Sequence, residues 1–320
     1  MASTSANSTK NVEQLSGLKS KKKKGVLGKM ARYANFYVMF IPVLVILFLF
    51  YYLPMYGIRY AFTEFTPFGP ATWVGFDNFT KLFEAQRFWD AFNNTLFLSI
   101  INLCLSMIFS VGIALLMNEI GRVFLKKVVQ TVIYLPHFLS WVVVAGIFTI
   151  ILSSETGVVN VILERLGFER IDFLTNQSWW RPIFFFINRW KETGWGTIIF
   201  IAALSGISPD LYEAAEIDGA GRLKQTWYIT IPSLMNTILV VFILNLAKIM
   251  NIFESVFVLY NASVYTVSDV IQTYTYRVGM QGTFNYGYST AVGLFKSFVA
   301  LILVGFSNFM SSKIRGRGIV

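Results

Sequence analysis

The stretch EAAEIDG at residues 213–219 is followed ten residues later by ITIP at residues 229–232. Both motifs lie in a short polar connection between two long apolar segments, which cover 182–207 and 237–258. An apolar run of about 20 residues is long enough to cross the hydrocarbon core of a bilayer as a helix. The pattern therefore indicates an all-α membrane protein with a structured polar connection on one side of the membrane.

The composition of the chain supports this class. Hydrophobic residues make up 55% of the 320 residues and charged residues 14%, whereas globular chains average about 25% charged residues. The net charge of +10 could suggest a nucleic-acid partner, but much of the excess lies between Lys19 and Arg32, just before the first apolar segment. Basic residues at such a place set membrane topology, so we expect a lipid bilayer and no nucleic acid as partner. The single Cys104 lies in an apolar run, which excludes an intrachain disulfide and favours a small packing residue.

Six segments are long and apolar enough to span a membrane. They cover residues 36–53, 95–117, 128–152, 182–207, 237–258 and 290–310. We predict one transmembrane domain over 31–320 that carries the polar connection at 208–232, preceded by a disordered basic cytoplasmic tail at 1–30. The first apolar run begins too late for a secretory signal and has no small-residue cleavage site.

The loops predict the orientation of the six spans. Basic residues cluster in the N-terminal tail, at 122–127 and at 313–317, which all lie on one side of a six-span protein. The longer connections on the other side carry acidic residues beside their few basic ones and cover 54–94, 153–181 and 259–289. By the positive-inside rule, both termini and the connection at 208–232 are cytoplasmic.

The polar connection also predicts local structure. Ser208 or Asp210 can cap the start of a helix. Gly219 or Gly221 can end it, because glycine takes the left-handed conformation at the lowest cost. We expect a short helix over 211–219 and a second short helix over 222–231, before the fifth span begins.

Further stretches, together with these motifs, resemble a known family. YYLPMYG at 51–57, WVGFDNF at 73–79, YLPHFLSW at 134–141 and SDV at 268–270 look like the carbohydrate-importer branch of the ABC permeases. After its basic tail, the chain is similar to the permeases of polysaccharide and complex-saccharide ABC importers. Alginate importer permeases belong to this group, and the larger maltose importer permease is a more distant relative. Ile231 stands where leucine is usual, which is a conservative departure.

The resemblance implies the type I ABC importer permease fold with six transmembrane helices, in the bacterial cytoplasmic (inner) membrane. The chain would form half of a saccharide channel beside a second permease, which in this family is usually a different chain. Two ATPase subunits would hold ATP and Mg²⁺, because this chain has no GxxxxGK[ST] motif. An extracytoplasmic solute-binding protein would deliver the sugar. The chain itself is expected to be no enzyme, with no catalytic, cofactor-binding or metal site.

In this family the polar connection is the coupling loop, which plugs into an ATPase subunit. Carried over by motif, the coupling residues are Glu213, Ala214, Ala215, Asp218, Gly219, Ile229 and Pro232. The two alanines leave room for close docking, and Glu213 offers a charge to a basic residue of the ATPase. An ordinary amphipathic connector would explain the loop alone, but not its place among six spans with the matching sidedness.

Charges inside membrane spans are costly and therefore suggest function. Our candidates for the substrate pathway are Lys191, Glu192, Trp195, Asn245, Lys248 and Asn251. The resemblance supports Trp195 and Asn245 as sugar contacts. The spacing of three residues places Asn245, Lys248 and Asn251 along one face of the fifth span. Ammonium groups pair with carboxylates, so the lysines favour an oligosaccharide that is acidic, such as an alginate-like uronate.

The same charges could also be neutralised within the protein, without any ligand. Lys191 and Glu192 could pair with each other or with the second permease, and Lys248 could pair with Glu254. Arg189 could simply extend to the membrane interface, and the sequence leaves these alternatives open. Lys296 has little polar surrounding in the sequence and is expected to serve helix packing or a subunit interface.

Two further functional classes also remain open. An ion- or proton-coupled secondary transporter would use lysine, glutamate and His137 as a relay, although a structural histidine beside Pro136 is the simpler interpretation of that residue. Such a transporter needs no cytosolic motor, so ATPase subunits docked on 208–232 would separate the two classes. A membrane-anchored structural or receptor protein gives no reason for the coupling motif.

Overall fold

The computed structural model describes most of the chain, namely residues 33–65, 71–281 and 284–315. Its internal contacts divide the chain into two units, the first ending at Gly57 and the second beginning at Ile58. The predicted tail at 1–30 lies outside the described residues.

The first unit is helical where it is described. Helix α1 covers Ala34–Leu47, a π-helical turn follows at Phe48–Tyr52, and α2 covers Leu53–Met55. A 3-10 helix at Tyr56–Phe62 then leads into the second unit. Pro54 gives a reason for the wide turn, because its ring would press on the carbonyl four residues earlier in a regular α-helix.

The second unit contains a two-stranded antiparallel ladder and the remaining helices. It begins with β1 (Thr63–Glu64), β2 (Thr72–Trp73), α3 (Asp77–Glu84), α4 (Gln86–Asn118) and α5 (Val123–Tyr134). Thr63 pairs with Trp73 and Glu64 with Thr72. A 3-10 turn at Leu135–Phe138 follows, and then α6 (Trp141–Ile151), α7 (Val158–Arg165), α8 (Gln177–Leu204) and α9 (Pro209–Ile217).

The rest of the second unit runs from α10 to the C-terminal helix. A π-helical turn at Thr226–Thr230 joins α10 (Arg222–Gln225) to α11 (Ile231–Leu246). Next come α12 (Phe253–Phe257), a 3-10 turn at Ala262–Val264, α13 (Tyr265–Ser268) and α14 (Ile271–Tyr276). The last elements are a π-helical turn at Arg277–Gln281 and α15 (Tyr286–Arg315).

Four helices of the described chain are long and apolar enough to cross a membrane: Ala34–Phe62, Gln86–Asn118, Arg222–Leu246 and Tyr286–Lys313. Two bent helix pairs raise the number to six if each pair is one span: Val123–Phe138 with Trp141–Ile151, and Gln177–Leu204 with Pro209–Ile217. Each of the six predicted spans overlaps one of these elements. The predicted all-α membrane fold is therefore confirmed.

The third predicted span, 128–152, is a broken helix. The chain leaves α5 through the 3-10 turn, and α6 starts after Ser140, whose Oγ accepts a hydrogen bond from Val143 N at 3.2 Å. Pro136 has no N–H and interrupts the helical hydrogen-bond ladder. The two halves consequently meet at an angle of 101°.

The predicted bounds of the fifth span, 237–258, are wrong at both ends. The observed helix runs from Arg222 through the π-helical turn to Leu246, and tight turns then carry the chain through Asn251. Pro232 gives a reason for this π-helical turn, because its ring, like that of Pro54, would press on the carbonyl four residues earlier in a regular α-helix. The polar residues after Leu246 are costly in a helix that faces lipid, whereas irregular backbone at membrane depth is tolerated where it lines a cavity.

Contacts between distant segments show which helix ends lie together. Near the start of α4, Asn94 Nδ2 donates to the Asp269 carbonyl at 3.1 Å, and Arg181 near the start of α8 donates to Asn94 Oδ1 at 2.7 Å. At the far end of α4, Glu119 Oε2 lies 3.9 Å from Arg222 Nη1. The coupling loop and the α4–α5 junction therefore share one end of the second unit, which agrees with the grouping of loops predicted from charge.

Two apolar cores hold the second unit around α4 and α8. One core joins these helices to α11, α14 and α15, and the other joins them to α6 and α12. Helix α5 approaches α8 closely at Gly194, where a Cβ atom would overlap the carbonyl oxygen of Ile133. The packing leaves polar side chains of α4 and α8 facing the turns after α11, and this is where the candidate substrate site lies.

Candidate functional site

Helix α9, which lies in the predicted coupling loop, forms much as the sequence predicts. Ser208 Oγ accepts a hydrogen bond from Asp210 N at 3.4 Å, and Gly219 has a φ of +75° in the left-handed region that favours glycine. Ala220 N donates to the Ala215 carbonyl at 2.8 Å, which closes the helix end. The predicted short helix is confirmed, two residues earlier at each end than predicted.

Most of the predicted coupling residues are exposed in this chain. Glu213, Ala214, Asp218, Gly219 and Pro232 are exposed, and Ala215 and Ile229 are half-buried. Ile217 is also 86% exposed at the last position of α9. Ile217 lies inside the EAAEIDG motif and is not among the predicted coupling residues.

Hydrogen bonds tie helix α9 and the turn after it to the helix that begins at Arg222 and continues as α11. Tyr212 Oη lies 3.0 Å from Thr230 Oγ1 at the foot of α11, and the buried Gln225 donates to the Ala220 carbonyl at 3.1 Å. A polar cavity of about 120 Å³ separates this region from Glu119 at the end of α4. A displacement of α9 would consequently act on α11, through the hydrogen bond between Tyr212 and Thr230.

Two adjoining polar cavities lie between α4, α8 and the turns after α11. The aromatic cavity, about 430 Å³, is lined by residues that include Trp141, Asn188, Glu192, Phe253, Glu254 and Gln272. The lysine cavity, about 200 Å³, is lined by residues that include Ser99, Ser106, Asn245 and Lys248, and none of its lining residues is acidic. The two cavities share Asn102, Asn251 and Ile252.

The structure brings Asn245, Lys248 and Asn251 together in the lysine cavity. The prediction that these three residues share one face of a helix is wrong. Only Asn245 lies on α11, while Lys248 and Asn251 lie in the turns that follow Leu246. Within the described part of the chain, the exposed Lys248 ammonium has no hydrogen-bond or ion-pair partner, so the alternative pairing with Glu254 is not formed.

Lys191 is buried behind the cavity wall, with only 4% of its surface exposed. Its Nζ donates to the His137 carbonyl at 2.8 Å and lies 3.4 Å from Glu192 Oε1. The pairing left open as an alternative is therefore present, and Lys191 offers no free ammonium group to a ligand. Glu192, by contrast, lines the aromatic cavity.

Trp195 lines neither cavity. Its ring stacks on the His137 ring at a centroid distance of 4.5 Å, so one indole face is covered. His137 Nδ1 in turn lies 2.9 Å from Glu192 Oε2, an arrangement that suits a structural role for this histidine. Trp141 is the indole that lines the aromatic cavity. It belongs to the YLPHFLSW stretch, but no neighbouring charge marked it as a candidate.

Two further cations contact asparagines of the cavity wall. Arg189 is buried and its Nη2 donates to Asn102 Oδ1 at 2.6 Å. Lys296 Nζ donates to Asn251 Oδ1 at 2.9 Å. Lys296 therefore has a polar partner that is 45 residues away in the sequence, which the sequence did not indicate, and its role in helix packing or a subunit interface stays a prediction.

Comparison with known proteins identifies the family. Residues 106–316 match the family of binding-protein-dependent transport system inner membrane components. The chain is 40% identical to the polygalacturonan/rhamnogalacturonan transport system permease protein YteP of Bacillus subtilis (strain 168), over 94% of this chain and 95% of that protein. Protein LplB of the same organism is 41% identical over 88% of this chain and 90% of its own length.

Solved structures support the same assignment. A chain in the crystal structure of a bacterial ABC transporter involved in the import of the acidic polysaccharide alginate matches with a TM-score of 0.85 and 40% identity, over 91% of this chain and 99% of that chain. A chain of the bacterial alginate ABC transporter in complex with an alginate pentasaccharide-bound periplasmic protein matches with a TM-score of 0.85 and 39% identity, over 92% and 99%.

These matches cover nearly the whole chain and leave no reason to retain a secondary transporter or a receptor as its class. The chain belongs to the binding-protein-dependent transport system inner membrane components and is the permease subunit of a sugar ABC importer, a transport subunit and not an enzyme.

Proposed function

We propose that this permease forms half of the membrane pathway for an acidic oligosaccharide. It acts in the bacterial cytoplasmic membrane with both termini cytoplasmic, beside a second, different permease. Two ATPase subunits that hold ATP and Mg²⁺ drive it, and an extracytoplasmic solute-binding protein delivers the sugar. The observation that carries the substrate class is Lys248, whose ammonium group has no partner among the described residues and lines a polar cavity whose lining contains no carboxylate.

The exposed residues of the coupling loop support the proposal that separate ATPase subunits drive transport. Helix α9 exposes the carboxylate of Glu213 and the apolar side chain of Ile217 at one end of the second unit. A groove on an ATPase subunit with a basic wall and an apolar floor would receive both. The contact between Tyr212 and Thr230 would pass a movement of α9 to the span α11, whose far end leads directly to Lys248.

The charge of the lysine cavity supports an anionic substrate. An ammonium group at membrane depth costs about 2.5–3.5 kcal/mol on insertion scales, and here no acidic partner within the described chain offsets that cost. The hydroxyl groups of a neutral sugar interact only weakly with a full positive charge, whereas a carboxylate forms an ion pair with it. Alginate is described as an acidic polysaccharide in the matching structure, and galacturonate, in the name of the relative YteP, is also a uronate.

Replacing Lys248 with glutamine is expected to slow uptake of a uronate oligosaccharide about tenfold, because one charge-assisted hydrogen bond is lost. Uptake of a neutral oligosaccharide of the same length should change little. The measurement is the initial rate of uptake of each sugar into proteoliposomes that hold the assembled importer and its binding protein.

Two control variants belong with this test. Lys248→Arg keeps the charge and should retain preference for the acidic sugar. Lys127→Gln removes an exposed lysine at the start of α5 and should leave both rates unchanged. If Lys248→Gln slows both sugars equally, or neither, Lys248 does not bind the anion.

The proposed orientation predicts which loops a reagent outside the membrane can reach. The exposed Cys104 is first replaced by serine, and single cysteines are placed at Ser208 and at Glu155. A membrane-impermeant maleimide added to intact cells should label the cysteine at position 155 and not the one at position 208. Labelling of position 208 from outside would overturn the six-span topology.

A further inference from the structure

Asn102 and Asn251 line both polar cavities, and each accepts a hydrogen bond from a cationic side chain. Arg189 Nη2 donates to Asn102 Oδ1 at 2.6 Å, which joins α8 to α4. Lys296 Nζ donates to Asn251 Oδ1 at 2.9 Å, which joins α15 to the turns after α11. The two pairs involve four separate segments, yet both asparagines line both polar cavities.

The chemistry of each pair fixes the orientation of its amide. Guanidinium and ammonium groups only donate hydrogen bonds, so the amide oxygen must face the cation. The amide nitrogen, on the other arm of the same side chain, is then held away from the cation. Among the described residues, neither Asn102 Nδ2 nor Asn251 Nδ2 has a hydrogen-bond partner, so two donors remain free at the cavity wall.

The cations also make these donors stronger. A hydrogen bond from an ionised donor polarises the amide that accepts it, and the effect is larger in a buried site. Arg189 Nε and Nη1 are buried without partners in the described chain. The nearby Glu192 carboxylate is already engaged by His137 and Lys191. Among the described residues, Arg189 forms no ion pair with this carboxylate and keeps its guanidinium group for Asn102.

We infer that the pairs Asn102–Arg189 and Asn251–Lys296 are a specificity element that presents two fixed amide donors to a carboxylate of the passing sugar. Asn102 and Asn251 are the contacts, and Arg189 and Lys296 are positioning residues that act through them. The inference rests on the proposed function, because it assumes that an acidic oligosaccharide passes through these cavities. It adds a second source of selectivity to the charge of Lys248.

An amide donor that is held in one orientation discriminates between a carboxylate and a hydroxyl group, whereas an amide that is free to flip does not. A sugar hydroxyl both donates and accepts, so an asparagine that is free to flip would satisfy it in either orientation. A carboxylate only accepts, and it is bound well only when the amide nitrogen is turned toward it. A cation behind each asparagine removes the wrong orientation and so favours the acidic sugar over its neutral analogue.

The test measures binding to the purified, assembled importer in detergent, without the solute-binding protein, by isothermal titration calorimetry. The two probes are an oligogalacturonate and its fully methyl-esterified, neutral form. In Lys296→Met, the Kd for the oligogalacturonate should rise about tenfold, as expected for one charge-assisted hydrogen bond. The Kd for the methyl ester should rise less, because its neutral carbonyl oxygen accepts a weaker hydrogen bond than a carboxylate does. Lys296→Arg, which keeps a cationic donor, should restore the preference.

A second variant guards against a failure of Lys296→Met to assemble. Asn251→Ala removes the amide donor at an exposed position and leaves Lys296 in place, and it should show the same selective loss. Equal losses for the two probes, or no loss for either, would overturn the inference. If the unaltered importer binds the methyl ester as well as the oligogalacturonate, the proposed function fails first. If only Lys248→Gln removes the preference, this inference alone fails.

Discussion

Replacing Gly219 with valine is expected to lower ATP-driven sugar uptake about tenfold or more, while the subunit still inserts into the membrane. Gly219 has a φ of +75° just after α9. A β-branched residue held at positive φ is a true outlier, and such strain costs about 1–3 kcal/mol. A Cβ at this position meets no atom of the chain within 4 Å, so the loss would come from a changed backbone path and not from a clash. Uptake into proteoliposomes with the complete importer measures it.

Two matched variants separate backbone strain from side-chain size at this loop. Gly219→Asn should transport nearly normally, because asparagine tolerates the left-handed region. Gly221→Ala should also be tolerated, since Gly221 has a φ of −71° and open space around it. Normal uptake by Gly219→Val would count heavily against the coupling-loop assignment, and an equal loss in all three variants would show that the backbone conformation is not the cause.

Removal of the Asp269 carboxylate is expected to destabilise the subunit more than any exposed charge change. Asp269 is buried and accepts hydrogen bonds from both terminal nitrogens of Arg277 and from Thr273 Oγ1. Breaking a buried ion pair by removing one partner costs about 3–5 kcal/mol, because the other charge is left buried and alone. Asp269→Ala should therefore lower the thermal unfolding midpoint of the purified subunit by roughly 5 °C or more.

The control for this prediction is an exposed ion pair of the same unit. Lys81 Nζ lies 2.6 Å from Asp77 Oδ2, one turn apart on α3, with both side chains largely in solvent. Exposed pairs contribute little to stability, so Lys81→Ala should leave the midpoint unchanged. Equal shifts for Asp269→Ala and Lys81→Ala would show that the pair with Arg277 does not hold the 265–281 segment in place.

The parts of the fold that could be predicted from the sequence are those set by local chemistry. The cap at Ser208, the left-handed glycine at position 219 and the apolar length of each span depend on a few neighbouring residues. The breaks within spans could not be predicted from hydropathy. The end of α11 at Leu246 and the bend at Pro136 occur inside apolar runs, and a hydropathy window averages across them.

The candidate substrate site could be predicted only in part, because long-range packing assembles it. Lys248 stood out as a charge in an apolar run. Asn102 gave no such signal, since it carries no charge and its partner Arg189 is 87 residues away. Lys191 and Trp195 gave strong local signals. In the folded chain, however, Lys191 is buried and donates to the His137 carbonyl, and His137 covers one face of the Trp195 ring.

The most direct test of the central claim is a cryo-EM structure of the assembled importer with a uronate oligosaccharide held in the membrane pathway. The proposed function predicts a sugar carboxylate within about 3 Å of Lys248 Nζ, in the lysine cavity that Asn102 and Asn251 border. A sugar that binds with its carboxylates away from Lys248, or that lies against Glu254 with only hydroxyl contacts, would contradict it.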